Sequence, residues 1–424
     1  MAGKAEDRGP RIVAAQPFGP ASAVTRRAAD RLRAGHLWVY RSDVESLVPA
    51  VGADGIAGGA LVTVMDSRGI PLGTGLYSAA SQIAVRMVSA EAALTRGAFL
   101  EQMRQRVVAA LALRDEVSPE SMENDACRLI FSEADGLPGI VADRYNDLVI
   151  LQLLAQGTAQ DDVRAVLADV IGERLKPKTI VERPDPKIRE LEQLAAPAPG
   201  PLYSTGDSPQ LTSVFTINGL RFHYDASSGQ KTGAFLDQRL NYAAAARYAR
   251  GSALDVCTYQ GGFAIHLAER CDRVTGVDAS RGALEVADRN LSLNSGLAAK
   301  VGWIEADAFE LLREYEANGD RYDTIVLDPP AFAKSKRAAE GAMRGYKELN
   351  LRAMKMLAPG GTLVTCSCSH HVPLEEFTAV VAAAASDAGQ WVQVLEIRGA
   401  APDHPAVLTL PETSYLKCLI CRVG

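Results

Sequence analysis

Residues 252–278, SALDVCTYQGGFAIHLAERCDRVTGVD, constrain the fold more than any other stretch. The apolar run 253–257 reads as a buried strand, and 258–262 as a loop with two glycines. Residues 263–270 have helical spacing, with Phe263, Leu267 and Ala268 on one face. A second apolar strand over 274–277 ends in Asp278. This strand–turn–helix–strand unit belongs to a nucleotide-binding α/β sheet. Its glycines allow close backbone approach, and an acid at the second strand end can take a ribose hydroxyl pair.

Two details point away from a dinucleotide. The turn is Tyr259-Gln260-Gly261-Gly262, not G-x-G-x-x-G, and Asp255 sits within the first strand. A carboxylate there repels a pyrophosphate but attracts the sulfonium and amino groups of S-adenosylmethionine. The unit therefore resembles that of class I methyltransferases. From 252 onward strands and helices alternate, as in a doubly wound parallel sheet. Strands are expected at 303–306, 324–327 and 362–366, the last entered through a Pro359-Gly360-Gly361 turn. Ser280 is placed to cap a helix over 281–294. Ligands bind at the carboxyl ends of such strands, and Asp255, Asp278, Asp307, Asp328 and Cys368 all fall at or near those ends.

The rest of the chain divides by pattern. Residues 1–23 carry acids and prolines and read as a disordered tail. Residues 24–95 are short-stranded, with Arg26, Arg27, Arg31 and Arg33 ahead of His36 and Trp38; this β-rich segment resembles a PUA domain, an RNA-binding module. Residues 96–205 mix helices and strands into a central α+β domain, and 206–424 form the Rossmann-like domain, giving an α/β protein overall. In that domain, 215–224 reads as a hairpin. The polar stretch 227–239 after it is expected to lie over the cofactor or substrate.

The chain has 45 Lys+Arg against 51 Asp+Glu. Bulk charge therefore gives no nucleic-acid signal, and RNA contacts must come from local patches. Seven scattered cysteines suit a reducing cytosol. Cys418 and Cys421 lack a second pair to complete a zinc site and read as strand residues. No apolar run reaches transmembrane length, so no membrane partner is expected.

Asp328-Pro329-Pro330-Ala331-Phe332 is a stiff turn that holds a carboxylate. It fits either of two chemistries: binding an exocyclic amine while the aromatic ring stacks the base, or meeting the edge of a cytosine. Thr365-Cys366-Ser367-Cys368-Ser369-His370-His371 bears on the choice. An exocyclic amine has its own lone pair and needs no protein nucleophile. Carbon 5 of cytosine becomes nucleophilic only after a thiolate adds at carbon 6. Cys366 is expected to end the buried strand and Cys368 to lie where the crevice opens, so Cys368 is the favoured nucleophile. An ordinary thiol has a pKa of about 8.5, and His370, His371 or a bound cation could lower it. Lys334, Lys336, Arg337 and Arg344 form a basic patch suited to phosphates.

These motifs resemble the PUA-containing ribosomal RNA cytosine-5 methyltransferases of bacteria and archaea. The shared signals are HLWVY at 36–40, EADGLPGIVADRY at 133–145, GQKTGAFLDQR at 229–239, CTYQGGFA at 257–264, LDPPAF at 327–332, RGYKELN at 344–350, TCSCSHH at 365–371 and APDHP at 401–405. The resemblance implies methylation of carbon 5 of a cytosine in large-subunit ribosomal RNA, with Cys368 as nucleophile and Asp328 orienting the base and handling protons. It implies S-adenosylmethionine held by Asp255, Tyr259, Gly261, Gly262, Phe263, Asp278, Ala279, Asp307, Ala308 and Asp328. Substrate would be met by Pro329, Pro330, Phe332, Lys334, Lys336 and Arg344. No metal and no DNA are expected; the expected setting is the cytoplasm, and a homodimer is plausible by the same resemblance. The alternatives are amino-group methylation of an RNA purine and a non-catalytic RNA-binding assembly factor. The role of Asp403-His404-Pro405 is not readable from sequence.

Overall fold

A computed structural model describes residues 11–12, 19–206, 208–227, 234–297, 299–332 and 339–424. They group into two compact units. The first comprises residues up to Val117, Arg128–Leu211 and Ala406–Thr413, and the second Ser118–Cys127, Thr212–Pro405 and Ser414–Gly424.

The first unit carries two sheets. Its seven-stranded sheet includes Ala21–Val24, Trp38–Tyr40, Val44–Val48, Leu61–Met65, Pro71–Tyr77 and Ile83–Ser89. Ala21–Val24 corrects the expected tail: it pairs with both Val44–Val48 and Leu61–Met65, with Ala21, Ser22 and Val24 buried. Arg26–Arg33 is a helix, capped by the Thr25 hydroxyl accepting from the Ala28 N–H. Two of its arginines serve the fold. Arg31 pairs with Asp43 at 2.5 Å and Arg33 with Asp66 at 2.6 Å, leaving Arg26 and Arg27 exposed. The five-stranded sheet contains Ala126–Phe131, Ile140–Tyr145, Leu148–Leu153, Thr179–Glu182 and Tyr203–Ser204. The helices Arg96–Val117 and Asp161–Leu175 accompany it.

The second unit is built on seven strands: β1 Ser252–Val256, β2 Arg273–Asp278, β3 Lys300–Glu305, β4 Tyr322–Leu327, β5 Leu357–Ser367, β6 Val392–Arg398 and β7 Lys417–Val423. Their order is β3-β2-β1-β4-β5-β7-β6. Neighbours from β3 to β5 are parallel, whereas β7 runs antiparallel to β5 and β6. The order reverses beside β1, opening a crevice at the carboxyl ends of β1 and β4. Central strands with both faces covered must be apolar throughout rather than alternating. Leu254, Val256, Ile325, Leu327 and Leu363 accordingly join one core with Leu349, Met354 and Phe377 of the flanking helices. Thr212–Ile217 and Leu220–Asp225 form the expected hairpin around Asn218-Gly219.

One local expectation fails. Pro359-Gly360-Gly361 lies inside β5, not before it, and the β4–β5 register jumps from Tyr322↔Leu357 to Thr324↔Thr362. The extra residues bulge out of the ladder, where a proline needs no ladder partner. Cys418 and Cys421 are buried β7 residues, and among the described residues no group of side chains is arranged to hold a metal.

Candidate active site

The loop after β1 is braced from beneath. Asp255 has no exposed surface. Its Oδ2 accepts from Thr258 Oγ1 at 2.5 Å and from the Ala264 N–H at 2.9 Å. Burial pushes this carboxyl up to about 7, with the Asp278 charge adding to the rise and the two hydrogen bonds opposing it. Asp255 is thus sealed under the loop, and any influence on a ligand passes through the loop or through charge.

The loop itself is conformationally demanding. Cys257 and Tyr259 have φ of +63° and +52°, and Gly261 (φ +83°) stands ahead of the helix Gly262–Leu267. At Gly262 a Cβ would lie 2.6 Å from the Tyr242 ring and hydroxyl, so this glycine is required by packing within the protein. Asp278 at the end of β2 accepts from the Tyr259 N–H at 2.9 Å and the Ser280 N–H at 2.8 Å. Ala279 follows it, exposed. Asp307, beyond β3, caps the helix Ala308–Asn318 by accepting from the Phe309 and Glu310 N–H groups.

A recess of about 420 Å³ opens beside this loop. Phe235, Tyr242, Thr258, Tyr259, Gly262, Phe263 and Asp328 line it, with the Phe235 and Tyr259 rings 5.0 Å apart. Aromatic walls suit a nucleoside that carries a cation. Among the sequence-predicted cofactor residues, Tyr259, Gly262, Phe263 and Asp328 line this recess. Asp278, Ala279, Asp307 and Ala308 lie at the neighbouring strand ends.

Asp328 follows β4, where its N–H bonds the Val256 carbonyl at 3.2 Å. Gln238 Nε2 donates to its Oδ1 at 3.1 Å. Burial, reinforced by the charges of Asp237 and Asp255, pushes the carboxyl up to about 8. Gln238 belongs to a buried turn, Asp237-Gln238-Arg239, that sequence reasoning left without individual roles. Tyr415 donates to Asp237 at 2.5 Å, and the Ala401 N–H bonds the Asp237 carbonyl at 2.8 Å. Asp403 lies 3.4 Å from Arg239 and 3.1 Å from His404, all three buried. The Asp403-His404-Pro405 segment therefore props the turn that carries Gln238. Of the polar stretch over 227–239, Ser228–Gly233 lies outside the described residues.

Cys368 stands one residue past β5, partly exposed, with its Sγ 3.9 Å from the Pro329 carbonyl. Cys366 is fully buried and paired in register with Cys418 on β7. Ser367 and Ser369 turn the other way, onto the buried Tyr346 hydroxyl, each at 2.9 Å. The Cys368 thiol is pushed up to about 12 by burial, then by Asp328 and Asp237, while Lys417 pulls it down. His370 and His371 are exposed, and His370 meets the Tyr415 ring, with centroids 5.3 Å apart. Among the described residues, Lys417 is a cation that acts on the thiol.

Phe332 packs against Tyr346 and Phe309, centroids 4.9 and 5.9 Å apart. It lines an open groove of about 810 Å³ with Arg344 and Gly345. Pro329 is buried and Pro330 exposed. Arg344 is exposed and pairs with Glu340 at 3.3 Å. Lys334, Lys336 and Arg337 lie outside the described residues.

Comparisons with known proteins give the family. Residues 23–90 match a PUA-like domain, and residues 202–420 match an S-adenosylmethionine-dependent methyltransferase. A Shewanella amazonensis protein named ribosomal RNA large subunit methyltransferase I is 39% identical over 392 residues, covering 92% of this chain and 95% of its own. A Klebsiella pneumoniae protein of the same name is 36% identical over 394 residues, covering 92% and 94%. In fold, the chain is similar to SMU.776, a methyltransferase solved in complex with SAH. The TM-score is 0.78 at 17% identity, over 94% of this chain and 99% of that one. S-adenosylmethionine is the cofactor. The chain belongs to the S-adenosylmethionine-dependent methyltransferases, among the proteins named ribosomal RNA large subunit methyltransferase I.

Proposed function

We propose that this protein methylates carbon 5 of a cytosine in large-subunit ribosomal RNA through a covalent adduct on Cys368. One observation carries the reading: a partly exposed thiol and a protonatable acid stand together at the ends of adjacent strands, Cys368 Sγ lying 3.9 Å from the carbonyl of the residue after Asp328. With its carboxyl raised to about 8, Asp328 is protonated at neutral pH and can donate to ring nitrogen 3 of the cytosine.

S-adenosylmethionine, when bound, supplies an electrophilic methyl group. Phe235, Tyr259 and Phe263 would enclose its apolar parts, Asp278 its ribose hydroxyls, and Gly261 and Gly262 shape the loop around it. Asp307 and Ala308, at the next strand end, would border the adenine. The protein's own steps concern the base. Cys368 loses its proton to water, and the Sγ–C6 bond forms. The C5–C6 π pair shifts into the ring as Asp328 gives its proton to nitrogen 3. Carbon 5 takes the methyl group; its proton then passes to water as the C5–C6 double bond re-forms and the Sγ–C6 bond breaks to give back the thiolate, and Asp328 recovers its proton from nitrogen 3. Pro329 and Pro330 hold the acid in place, and the Phe332–Arg344 groove would receive neighbouring nucleotides. Lys334 and Lys336 belong to the same proposed RNA contact. The reading also carries an RNA rather than DNA partner, a cytoplasmic setting and a homodimeric assembly.

Amino-group methylation asks Phe332 to stack the target base, but that ring is already packed on Tyr346 and Phe309. This favours the carbon-5 reading. The test uses ribosomal RNA tritiated at carbon 5 of cytosine, from cells lacking the protein. Wild type with unlabelled S-adenosylmethionine should release tritium to water, and Cys368→Ala should release none while still binding S-adenosylhomocysteine. Methyl incorporation without tritium release would overturn the carbon-5 chemistry in favour of the amine.

A further inference from the structure

The segment that carries Cys368 is held from two sides by residues that no motif reading assigned. On one side the Tyr346 hydroxyl bridges the hydroxyls of Ser367 and Ser369. On the other, Lys417 donates to the carbonyls of Ser369 and Tyr415, both at 2.7 Å. Lys417 opens β7 directly across from Ser367 and is only 6% exposed. A lysine buried to this degree against two neutral carbonyls, with no carboxylate paired to it among the described residues, is an expensive way to tie down a loop. An amide would make the same hydrogen bonds without a charge.

We propose that Lys417 is the fixed cation that sustains Cys368 as a thiolate, and that Tyr346 and Lys417 together position the segment bearing it. The inference rests on the reading of Cys368 as nucleophile. Among the described residues, the titratable groups acting on the thiol are Asp328 after β4, Asp237 on the buried turn, Tyr346 and Lys417. Both acids oppose a thiolate, whereas the Cys368 backbone N–H and Lys417 favour it, and among the described residues Lys417 is the one of these that carries a full charge. Burial pulls the Lys417 ammonium down to about 8, and a Cys368 thiolate pushes it back up. Thiolate and ammonium therefore sustain each other, as a positioned pair rather than as two independent sites.

The pair has a signature that a purely structural lysine lacks. Below the lysine's titration, making the thiolate means releasing a proton to solvent, so reactivity climbs tenfold per pH unit. Above it, the Sγ proton passes to the neutral Nζ, no net proton is released, and reactivity levels off for about one pH unit, the span set by a tenfold coupling, before thiolate beside a neutral lysine takes over. Asp328 titrates in the same range, so the measurement is made in the full-length Asp328→Asn chain. Iodoacetamide forms the S–C bond with loss of iodide, and mass spectrometry follows the Cys368 peptide from pH 6.5 to 10.

With Lys417 present, the alkylation rate should rise, flatten for about one pH unit above pH 8, and then climb again. In Lys417→Gln, which keeps an N–H donor, the rate should start about tenfold lower, equivalent to one pKa unit, and climb through pH 10 without levelling. Lys417→Arg should start within threefold of the lysine chain and also climb without levelling. A lysine chain that climbs without flattening overturns the proposal, whether or not either variant folds. So does a Gln profile that superimposes on the lysine profile, or an Arg profile that falls with Gln. Binding of S-adenosylhomocysteine checks folding. Because no RNA is present, this outcome is separate from the tritium-release result, which decides the carbon-5 reading itself.

Discussion

At the ends of β1, β2 and β3, acids meet backbone N–H groups. Asp255 takes the Ala264 N–H, Asp278 those of Tyr259 and Ser280, and Asp307 those of Phe309 and Glu310. At the ends of β4, β5 and β7, the titratable groups are held differently. Asp328 has one amide donor, Cys368 a carbonyl at 3.9 Å, and Lys417 two neutral carbonyls. Backbone donors fix a loop's shape and favour the ionised acid. Burial displaces proton affinity on both sides, but at Asp255 the two hydrogen bonds oppose the rise, whereas Asp328, Cys368 and Lys417 are shifted with fewer partners to oppose it. One half of the crevice is a scaffold for a ligand, and the other is poised for proton and thiol chemistry.

Asp328→Asn should break this contrast most visibly. Losing the proton donor should lower kcat by about 10³-fold, within the range for general acid catalysis, with little change in S-adenosylhomocysteine affinity. Wild-type turnover should decline as pH rises past about 8, where Asp328 gives up its proton. The same substitution should raise stability at alkaline pH. The folded carboxyl holds its proton between its ordinary value near 3.8 and its raised value near 8, whereas the unfolded chain has already lost it. Wild type therefore loses stability as pH climbs through that window, and the neutral amide does not. Melting of the Asn variant should match wild type near pH 4 and exceed it by a few degrees at pH 8.5. Equal melting points at pH 8.5 would show that Asp328 is not held in the protonated form.

Gly262→Ala addresses the scaffold half. The new methyl would meet the Tyr242 ring at 2.6 Å, and that ring is buried edge-on against Phe263, with centroids 4.7 Å apart. Overpacking of this kind costs about 1–3 kcal/mol. Chemical denaturation should show that loss. Calorimetry should show weaker S-adenosylhomocysteine binding, because Tyr242, Gly262 and Phe263 all line the recess. The thiol alkylation profile at Cys368 should stay as it is, since the perturbed contact lies on the other side of the crevice.

The scaffold half was also the more legible in sequence. Unbroken apolar runs ending in Asp278 and Asp328 mark parallel strands and their ligand-binding ends, because both faces of such strands are covered. The Ser280 cap is a local signal and stands as expected, accepting from the Ala283 N–H at 3.3 Å. The other half depends on pairings between distant segments. Nothing near Lys417 says that β7 will lie antiparallel to β5 and bring its ammonium to Ser369, and nothing near Gln238 says that it will reach Asp328. The helix Arg26–Arg33 was missed for a related reason: only Ala28 and Ala29 on it are buried, so it offers no apolar stripe, and the ion-pair partners of Arg31 and Arg33 lie on distant strands.

Asp307 gives the smallest and sharpest test, because scaffold and ligand roles meet in one side chain. Its Oδ1 caps the helix Ala308–Asn318, and the carboxylate is exposed at a strand end where an adenine would border it. Asp307→Ala should cost about 1 kcal/mol of stability from the lost cap and weaken S-adenosylhomocysteine binding several-fold. Asp307→Ser should restore the stability, since a hydroxyl caps nearly as well, but not the affinity, since a serine at this position is too short to replace the outer carboxylate oxygen. Denaturation and calorimetry on the two variants separate the roles. Full recovery of binding in the serine variant would make Asp307 a helix cap alone and place recognition of the adenine elsewhere on the recess wall.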